Sequence, residues 1–430
     1  MIQKMNKKIL SALIGLSCSF TASNSFAEDL LQVFEIATAN DPTVLKAKAN
    51  ADRDAYNIDS AMSSLLPNLS FSTGYDKSHS FGGKLTLSQS LFDFSNWKSL
   101  SIAEKEALQS KTSYDLAQQT LIVRVSNAYF DVLGNMDDLE FVQAEKRAIE
   151  RQLEQTKQRF AVGLTAITDV HEAQAQFDNA VAREIVAKND VETSREQLRE
   201  ITGKYHSKLN PLNTTRFSTV SPTNNSEDFI KTAEERNLEL QISKLSVEVA
   251  KVRIERAKAG HLPTLSLNGS YSESWDSRPA NADGIRAPKD STTLGVSLTA
   301  PIYAGGGIQA GVDIARSNYV ASSEDLEATH RSVTRNVRTS YNQVVSDIAT
   351  YKALEQAVVS AQSALQATEA GFEVGTRTIV DVLLSTRNLF DAKRNLSAVR
   401  YRYVVSTLSL KQAAGTLNKT DIEAINRGLN

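Results

Sequence analysis

The distribution of proline is the feature of this 430-residue sequence that most restricts its fold. All eight prolines lie outside residues 68–210 and 302–430. Because proline inside a helix costs about 3 kcal/mol, two proline-free segments of this length predict very long helices. Between Asn96 and Phe160 the pattern supports roughly 65 helical residues, a rod of about 95 Å. Such a rod must span or line something, because a compact domain with a single core does not need it.

Apolar residues recur along these segments in alternating steps of three and four, as in helices that pack through a coiled-coil-like stripe. In the first segment the stripe passes through Val142, Ile149 and Leu153. Lys146 and Glu184 interrupt it, so we expect a core that contains some charge. Other charged runs, such as EKRAIERQLEQTKQR, are most simply interpreted as solvated helix faces.

The sequence also contains an internal repeat, in which similar motifs occur twice in the same order. FAVGLTAITDV (residues 160–170) and FEVGTRTIVDV (residues 372–382) are identical at six of eleven positions and lie 212 residues apart. LLPNLSFSTGY (residues 65–75) and HLPTLSLNGSY (residues 261–271) correspond at a separation of 196 residues. Such a consistent register indicates an internal duplication.

We therefore divide the chain into repeat 1 (28–209) and repeat 2 (227–430), joined by a polar linker (210–226). Each repeat is predicted to contain a helix, a β-hairpin and a long helical hairpin, and repeat 2 ends in a further C-terminal segment. The predicted β-hairpins cover about 66–93 and 263–303, and the tips of the helical hairpins cover 161–169 and 373–381.

Period-two alternation of apolar residues, as at Leu85, Leu87 and Leu91, predicts four half-buried strands per chain. A length of about ten residues suits a tilted transmembrane strand. Four strands cannot close a barrel, and an open sheet edge in a bilayer leaves backbone groups without hydrogen bonds. Several chains must then share one barrel, and the twelve strands of three chains enclose more space than the eight strands of two.

Aromatic residues fit two membrane interfaces, one at each end of the predicted strands. The alternative is a soluble β-sandwich with aromatic residues at its strand ends. The two predicted girdles comprise Tyr75, Tyr271 and Trp275 at one end, and Phe92, Phe94, Trp97 and Tyr303 at the other.

The N-terminus has the pattern of a secretory signal peptide. Lys4, Lys7 and Lys8 precede a short apolar stretch and a small-x-small cleavage site, so we predict that residues 1–27 are removed. Lipidation at Cys18 is the weaker alternative, because the residues before Cys18 fit a lipoprotein signal poorly. Cys18 is the only cysteine, so packing, a bilayer or partner chains must hold the exported chain together.

Charge and motifs argue against nucleic-acid binding and catalysis. Without residues 1–27 the net charge is about −5, whereas a nucleic-acid binder would be basic. YAGGGIQAG (residues 303–311) follows a strand but lacks the second parallel strand of a dinucleotide-binding unit. The pair His171-Glu172 lacks a further histidine at metal-binding spacing. We predict no enzyme activity, no cofactor and no metal, and no transmembrane helix, because no long apolar run follows residue 27.

Several long motifs resemble the TolC family of outer membrane efflux proteins along essentially the whole chain after residue 27. They are LLPNLS, AQQTLIVRVSNAYFDVL, QRFAVGLTAITDV, GHLPTL, SLTAPIYAGG and VGTRTIVDVL. The resemblance implies a mostly α-helical homotrimer with a membrane β-barrel part. Its twelve-stranded outer membrane barrel, four strands per chain, continues as a long α-helical barrel in the periplasm. An equatorial region is implied near residues 211–236 and at the C-terminus.

The resemblance also implies a passive exit duct for multidrug efflux and type I protein secretion, gated at its periplasmic entrance. A periplasmic adaptor (membrane fusion) protein and an inner-membrane transporter of the RND, ABC or MFS class would complete the pathway, and the transporter would supply the energy. The alternative is a periplasmic coiled-coil adaptor or scaffold without a pore, which would lack strands that face lipid.

By the same resemblance, both eleven-residue motifs are hairpin tips. Gly163, Leu164, Gly375 and Thr376 would dock the adaptor, with glycine allowing the backbone to reverse. The alternative is that each glycine merely serves as a helix stop, and both interpretations can hold together.

The resemblance further implies an entrance closed by Arg377, bonded to Thr168 and Asp169. Phe372 replaces a tyrosine of the family, so one hydrogen bond is missing and we expect an entrance that opens more readily.

Asp381 would form a ring of three carboxylates that face the lumen. The family's second ring falls at Leu384, so we expect weaker block by polyvalent cations. Alternatively, Asp381 caps a helix N-terminus.

Overall fold

The computed structural model describes residues 27–75, 80–276 and 289–429. The predicted signal peptide therefore lies outside the described residues, except for Ala27. Bounds of the elements in chain order are α1 Leu30–Asn40, α2 Pro42–Ser63, β1 Asn68–Tyr75, β2 Ser80–Phe92, α3 Phe94–Ala161, α4 Ile167–Thr202, α5 Ser226–Arg236, α6 Leu238–Ala259, β3 Thr264–Asp276, β4 Lys289–Thr299, α7 Gly307–Glu373, α8 Ile379–Ala413 and α9 Lys419–Asn426.

Helices α3 and α7 confirm the expectation of long rods. Helix α3 has 68 residues and α7 has 67, so each is about 100 Å long. Helix α3 begins where the Asp93 carboxylate accepts the N–H groups of Ser95 (2.9 Å) and Asn96 (3.2 Å), which caps its first turn. In the part of the chain that the structure describes, no helix is long and apolar enough to cross a membrane.

The helices form one wall with two free edges. In the half near the strands, α3 packs between α2 and α6, and α7 packs on α6. In the half near the hairpin tips, α3 packs against α4 and α8, and α7 packs on α8. One edge of the wall is thus α2 and α4, and the other is α7.

A belt of short segments packs against the middle of the wall. It consists of α1, α5, α9 and the connecting residues 203–225, which include most of the predicted linker. Backbone bridges join Glu28 to Leu209 and Leu212 to Leu429, so the two ends of the described chain meet the connector. The Tyr129 hydroxyl of α3 donates to the carbonyl of Asn210 (2.8 Å). The largest buried apolar cluster lies here, between the belt and the middle of the long helices.

The four strands form one antiparallel sheet in the order β1-β2-β3-β4. Its register aligns Leu87 with Gly269 and Gly269 with Leu294, so apolar side chains share one face. The opposite face is polar, with hydroxyl pairs such as Ser270–Thr293 (2.7 Å). Leu294 on the apolar face is 75% exposed in the single chain.

The aromatic residues predicted for the interfaces lie near the two ends of this sheet. Backbone pairing aligns Tyr75 with Phe81 and Phe81 with Trp275 at one end. Tyr271 pairs with Leu85, four residues further in. At the other end of the sheet, all four side chains of the second predicted girdle are exposed: Phe92, Phe94, Trp97 and Tyr303.

Candidate functional site at the hairpin tips

The first tip, residues 162–166, connects α3 to α4. Gly163 has φ +76°, a left-handed conformation that glycine adopts without steric cost. The Gly163 N–H donates to the Phe160 carbonyl (2.9 Å), and the Leu164 N–H donates to the Arg159 carbonyl (2.9 Å). This pair of bonds is the Schellman pattern that ends a helix.

The second tip, residues 374–378, repeats this backbone. Gly375 has φ +81°, its N–H donates to the Phe372 carbonyl (3.2 Å), and the Thr376 N–H donates to the Gly371 carbonyl (2.8 Å). Both glycines therefore act as helix stops, and the chain reverses at each. Apolar side chains project from both tips, since Val162, Leu164 and Val374 are at least 70% exposed.

The two tips differ in how the following helix begins. Ala166 precedes α4 without a side-chain cap, whereas Thr378 caps α8. Asp381 is the third residue of a capping box, because its carboxylate accepts the Thr378 N–H (2.9 Å) and hydroxyl (3.0 Å). The alternative that Asp381 is itself the N-cap is therefore wrong, although its carboxylate does serve the cap. These bonds from Thr378 lower the pKa of Asp381 below its usual range.

The other predicted entrance residues do not all meet within one chain. The Arg377 side chain lies against Gly371, where an added Cβ would be 2.7 Å from the arginine Cγ. Asp169 accepts a hydrogen bond from the Thr165 hydroxyl at the start of α4. Within the described residues of one chain, Arg377 makes no hydrogen bond to Thr168 or Asp169.

Phe372 has a partner that the sequence analysis missed. The Arg159 guanidinium of α3 lies over its ring, 4.4 Å from the ring centroid. This distance is typical of a cation–π contact, and the contact links the last turn of α3 to the last turn of α7. Phe372 also packs against two buried clusters that contain Leu153 and Leu365. No spacing in the sequence shows that these two helix ends meet.

A buried ionic cluster joins the two helical hairpins further from the tips. Glu145 of α3 is fully buried and accepts from Arg183 of α4 (2.8 Å) and Arg394 of α8 (3.3 Å). Our interpretation of its charged run as a solvated face was thus wrong for Glu145. Its position in the apolar stripe, three residues after Val142 and four before Ile149, was the available signal.

The predicted charge within the helical core is present. Lys146 donates to Glu184 at 2.8 Å. This bond and that from Lys188 lower the pKa of Glu184 to about 2.

A sheet with an uncovered apolar face, continued by helices of about 100 Å, defines the class of membrane channels that extend as helical tubes. The sequence pattern of the family described as outer membrane efflux protein matches residues 33–204 and 229–416. The chain belongs to this family.

Individual relatives agree with this membership. The chain is 45% identical to the outer membrane protein TolC of Vibrio cholerae serotype O1, over 98% of this chain and 99% of that protein. It is 26% identical to the proteases secretion protein PrtF of Dickeya chrysanthemi, over 96% of this chain and 93% of that protein. The fold matches the crystal structure of the CmeC outer membrane channel of Campylobacter jejuni with a TM-score of 0.78 at 17% identity, over 93% of this chain and 90% of that chain.

These relationships confirm the predicted fold class, a mainly α-helical protein with a membrane β-barrel part. The protein is an outer membrane exit duct for efflux and type I secretion and is not an enzyme. The alternative of a periplasmic adaptor without a pore has no support.

Proposed function

We propose that three copies of the chain form one duct, gated where the hairpin tips converge. The observation that carries this proposal is the pair of free edges on each chain. Strand β1 and helices α2 and α4 lie at one edge, and β4 and α7 lie at the other. When unlike edges of successive copies meet, the contact is heterologous and can close into a ring. Three sheets of four strands then give a barrel of twelve strands.

The exposed side chains of the edge helices support this assembly. Tyr56 of α2 and Ile185 of α4 are exposed at one edge, and Ile314 and Val359 of α7 are exposed at the other. In the membrane, pairing of β4 with the next β1 satisfies backbone groups that lipid cannot. Ring closure therefore removes the polar strand edges and covers apolar surface in one step.

The same arrangement brings the entrance residues together. Because α7 of one chain meets α4 of the next, Arg377 at the end of one hairpin comes beside Thr168 and Asp169 of the neighbour. Arg377 then closes the entrance by bonds between chains. Three Asp381 carboxylates form the cation-attracting ring, and Leu384 contributes no second ring.

The tips are also the docking site for a periplasmic adaptor. Gly163 and Gly375 shape two equivalent turns, and Leu164 and Thr376 lie exposed on them beside apolar side chains. Exposed apolar groups on both tips favour contact with another protein. An inner-membrane transporter of the RND, ABC or MFS class supplies the energy, and the similarity to a protease secretion protein supports exported proteins among the cargo.

A cysteine pair tests the assembly and the gate together. Cys18 is the only cysteine and lies in the predicted signal peptide, so Thr168→Cys with Arg377→Cys adds the only thiols of the mature chain. Oxidation should join chains into covalent trimers on denaturing gels, and a reductant should restore the conductance that oxidation lowers. Each single variant is the control and should stay uncrosslinked. A disulfide formed within a single chain would contradict the proposal.

A further inference from the structure

A groove of about 560 Å³ lies where β2 meets α3. It is lined by Leu91, Phe92, Phe94, Trp97, Lys98 and Ser101. We propose that this groove binds one anionic phospholipid of the surrounding membrane, with an acyl chain against the aromatic side chains and the phosphate at Lys98. The proposal rests on the proposed trimeric barrel, which places the groove at the inner surface of the outer membrane.

A β-bulge creates the apolar part of the groove. The pairing of β2 with β3 shifts between Ser90 and Phe92 and leaves Leu91 without a partner in that ladder. Such a shift re-aims neighbouring side chains, and here Leu91 and Phe92 are both exposed and both line the groove. Phe94 and Trp97 follow one helical turn apart on α3. The lipid-facing surface of the strands thus continues onto the first turns of the helix.

The groove faces outward rather than into the duct. Successive residues of a helix are rotated by about 100° around its axis, so Trp97 and Ile122, which are 25 residues apart, lie within about 20° of each other on the same side of α3. Ile122 packs in the core beneath the belt, and the belt must lie outside the ring if the duct is to stay open. In the ring, α2 and α6 of the same chain flank α3, so a neighbouring chain does not cover this part of the helix.

The charge beside the groove fits a phosphate. The Lys98 Nζ atom is 2.6 Å from the Glu255 carboxylate and 4.9 Å from the centre of the Phe94 ring. Lys251 and Lys258 lie one helical turn before and one helical turn after Glu255 on α6, so this carboxylate has three lysines in its neighbourhood. The nearby Asp93 carboxylate accepts hydrogen bonds from the first N–H groups of α3. An excess of positive charge beside an apolar groove is the pattern that recognises an anionic headgroup.

A second ion pair between α3 and α6 provides a matched control. Lys105 pairs with Glu248 at 2.5 Å, two turns further along α3, and Lys105 does not line the groove. Lys105→Gln removes the same charge and the same kind of ion pair as Lys98→Gln. Only Lys98→Gln should therefore affect a lipid held in the groove.

The experiment measures phospholipid retained by the purified trimer. The full-length protein is reconstituted in vesicles of equal parts phosphatidylglycerol and phosphatidylethanolamine, extracted, and analysed by native mass spectrometry. The wild type should retain phosphatidylglycerol in preference, about one molecule per chain. Lys98→Gln should retain it about fivefold less, Trp97→Ala should lose both lipids, and Lys105→Gln should match the wild type.

Equal retention by the wild type and Lys98→Gln would overturn the inference, and so would equal retention of the two lipids by the wild type. Oligomeric state and conductance are recorded on the same samples. A conducting wild-type trimer without preferential lipid overturns only this inference. A wild type that forms no trimer overturns the proposed function instead.

Discussion

At the sheet end of the chain, apolar side chains such as Phe71 and Leu294 are at least 70% exposed, because no other segment of the described chain packs on this face of the sheet. At the tip end, α3, α4 and α8 bury Ile149, Ala173 and Ile379 in a shared cluster. The sheet end therefore depends on lipid and neighbouring chains for its stability. The tip end instead has an apolar core within one chain, and this core joins its two helical hairpins.

The largest effect is expected from a charge on the lipid-facing side of the sheet. Leu294→Arg should cost about 2–4 kcal/mol per chain near the middle of the bilayer and prevent trimer assembly. Thr293→Arg, on the polar face of the same strand, should assemble normally, although both positions are exposed in the single chain. Trimer yield in outer membrane extracts measures the difference. Equal losses for both variants would show that the apolar face does not contact lipid.

A smaller loss is expected from the ionic cluster between the hairpins. Glu145→Gln should destabilise the helical part by about 1.5–3 kcal/mol, because Arg183 and Arg394 lose their shared buried anion. Glu150→Gln removes an exposed carboxylate of the same helix and should have little effect. Thermal unfolding followed by circular dichroism compares the two variants. A Glu145→Gln melting temperature equal to that of Glu150→Gln would refute the role of the cluster.

The contact between Arg159 and Phe372 should affect the entrance more than overall stability. Arg159→Gln removes a cation–π contact of about 0.5–2 kcal/mol between the hairpins, so single-channel conductance should rise. Lys157→Gln removes the same charge two residues earlier from an exposed position and serves as the control. If both variants conduct alike, the contact does not restrain the entrance.

Phe372→Tyr should have the opposite effect. The added hydroxyl can restore the family's missing hydrogen bond, worth about 0.5–1.5 kcal/mol per chain, and hold the entrance more firmly closed. Single-channel recordings of the two proteins provide the comparison. Wild-type conductance no higher than that of Phe372→Tyr would disprove the expectation of a readily opened entrance.

The smallest effect concerns ion binding rather than stability. Leu384 is about half exposed one helical turn after Asp381, so Leu384→Asp adds a second carboxylate ring in the trimer. Block of the channel by a polyvalent cation should strengthen by up to about fivefold, since exposed charges are screened by solvent. Unchanged block would count against a lumen-facing position for this pair of residues.

The sequence predicts well those features that depend on local rules. The long helices follow from the proline-free segments, and the two tips follow from glycine in the repeated motifs. The capping box at Thr378 could also have been found, because an acidic residue three positions after threonine is its known pattern. Contacts between distant segments were missed, as at Arg159 and Phe372, because local spacing carries no information about which helix ends meet. Burial of Glu145 required knowing that two arginines converge on it from other helices.

Conductance of the purified protein in a planar bilayer tests the central claim most directly. Three chains that share one barrel should insert as long-lived channels with discrete current steps, and their mass in detergent should correspond to a trimer. Current should favour cations, as the Asp381 ring requires. Material that remains a single, non-conducting chain under the same conditions would contradict the account.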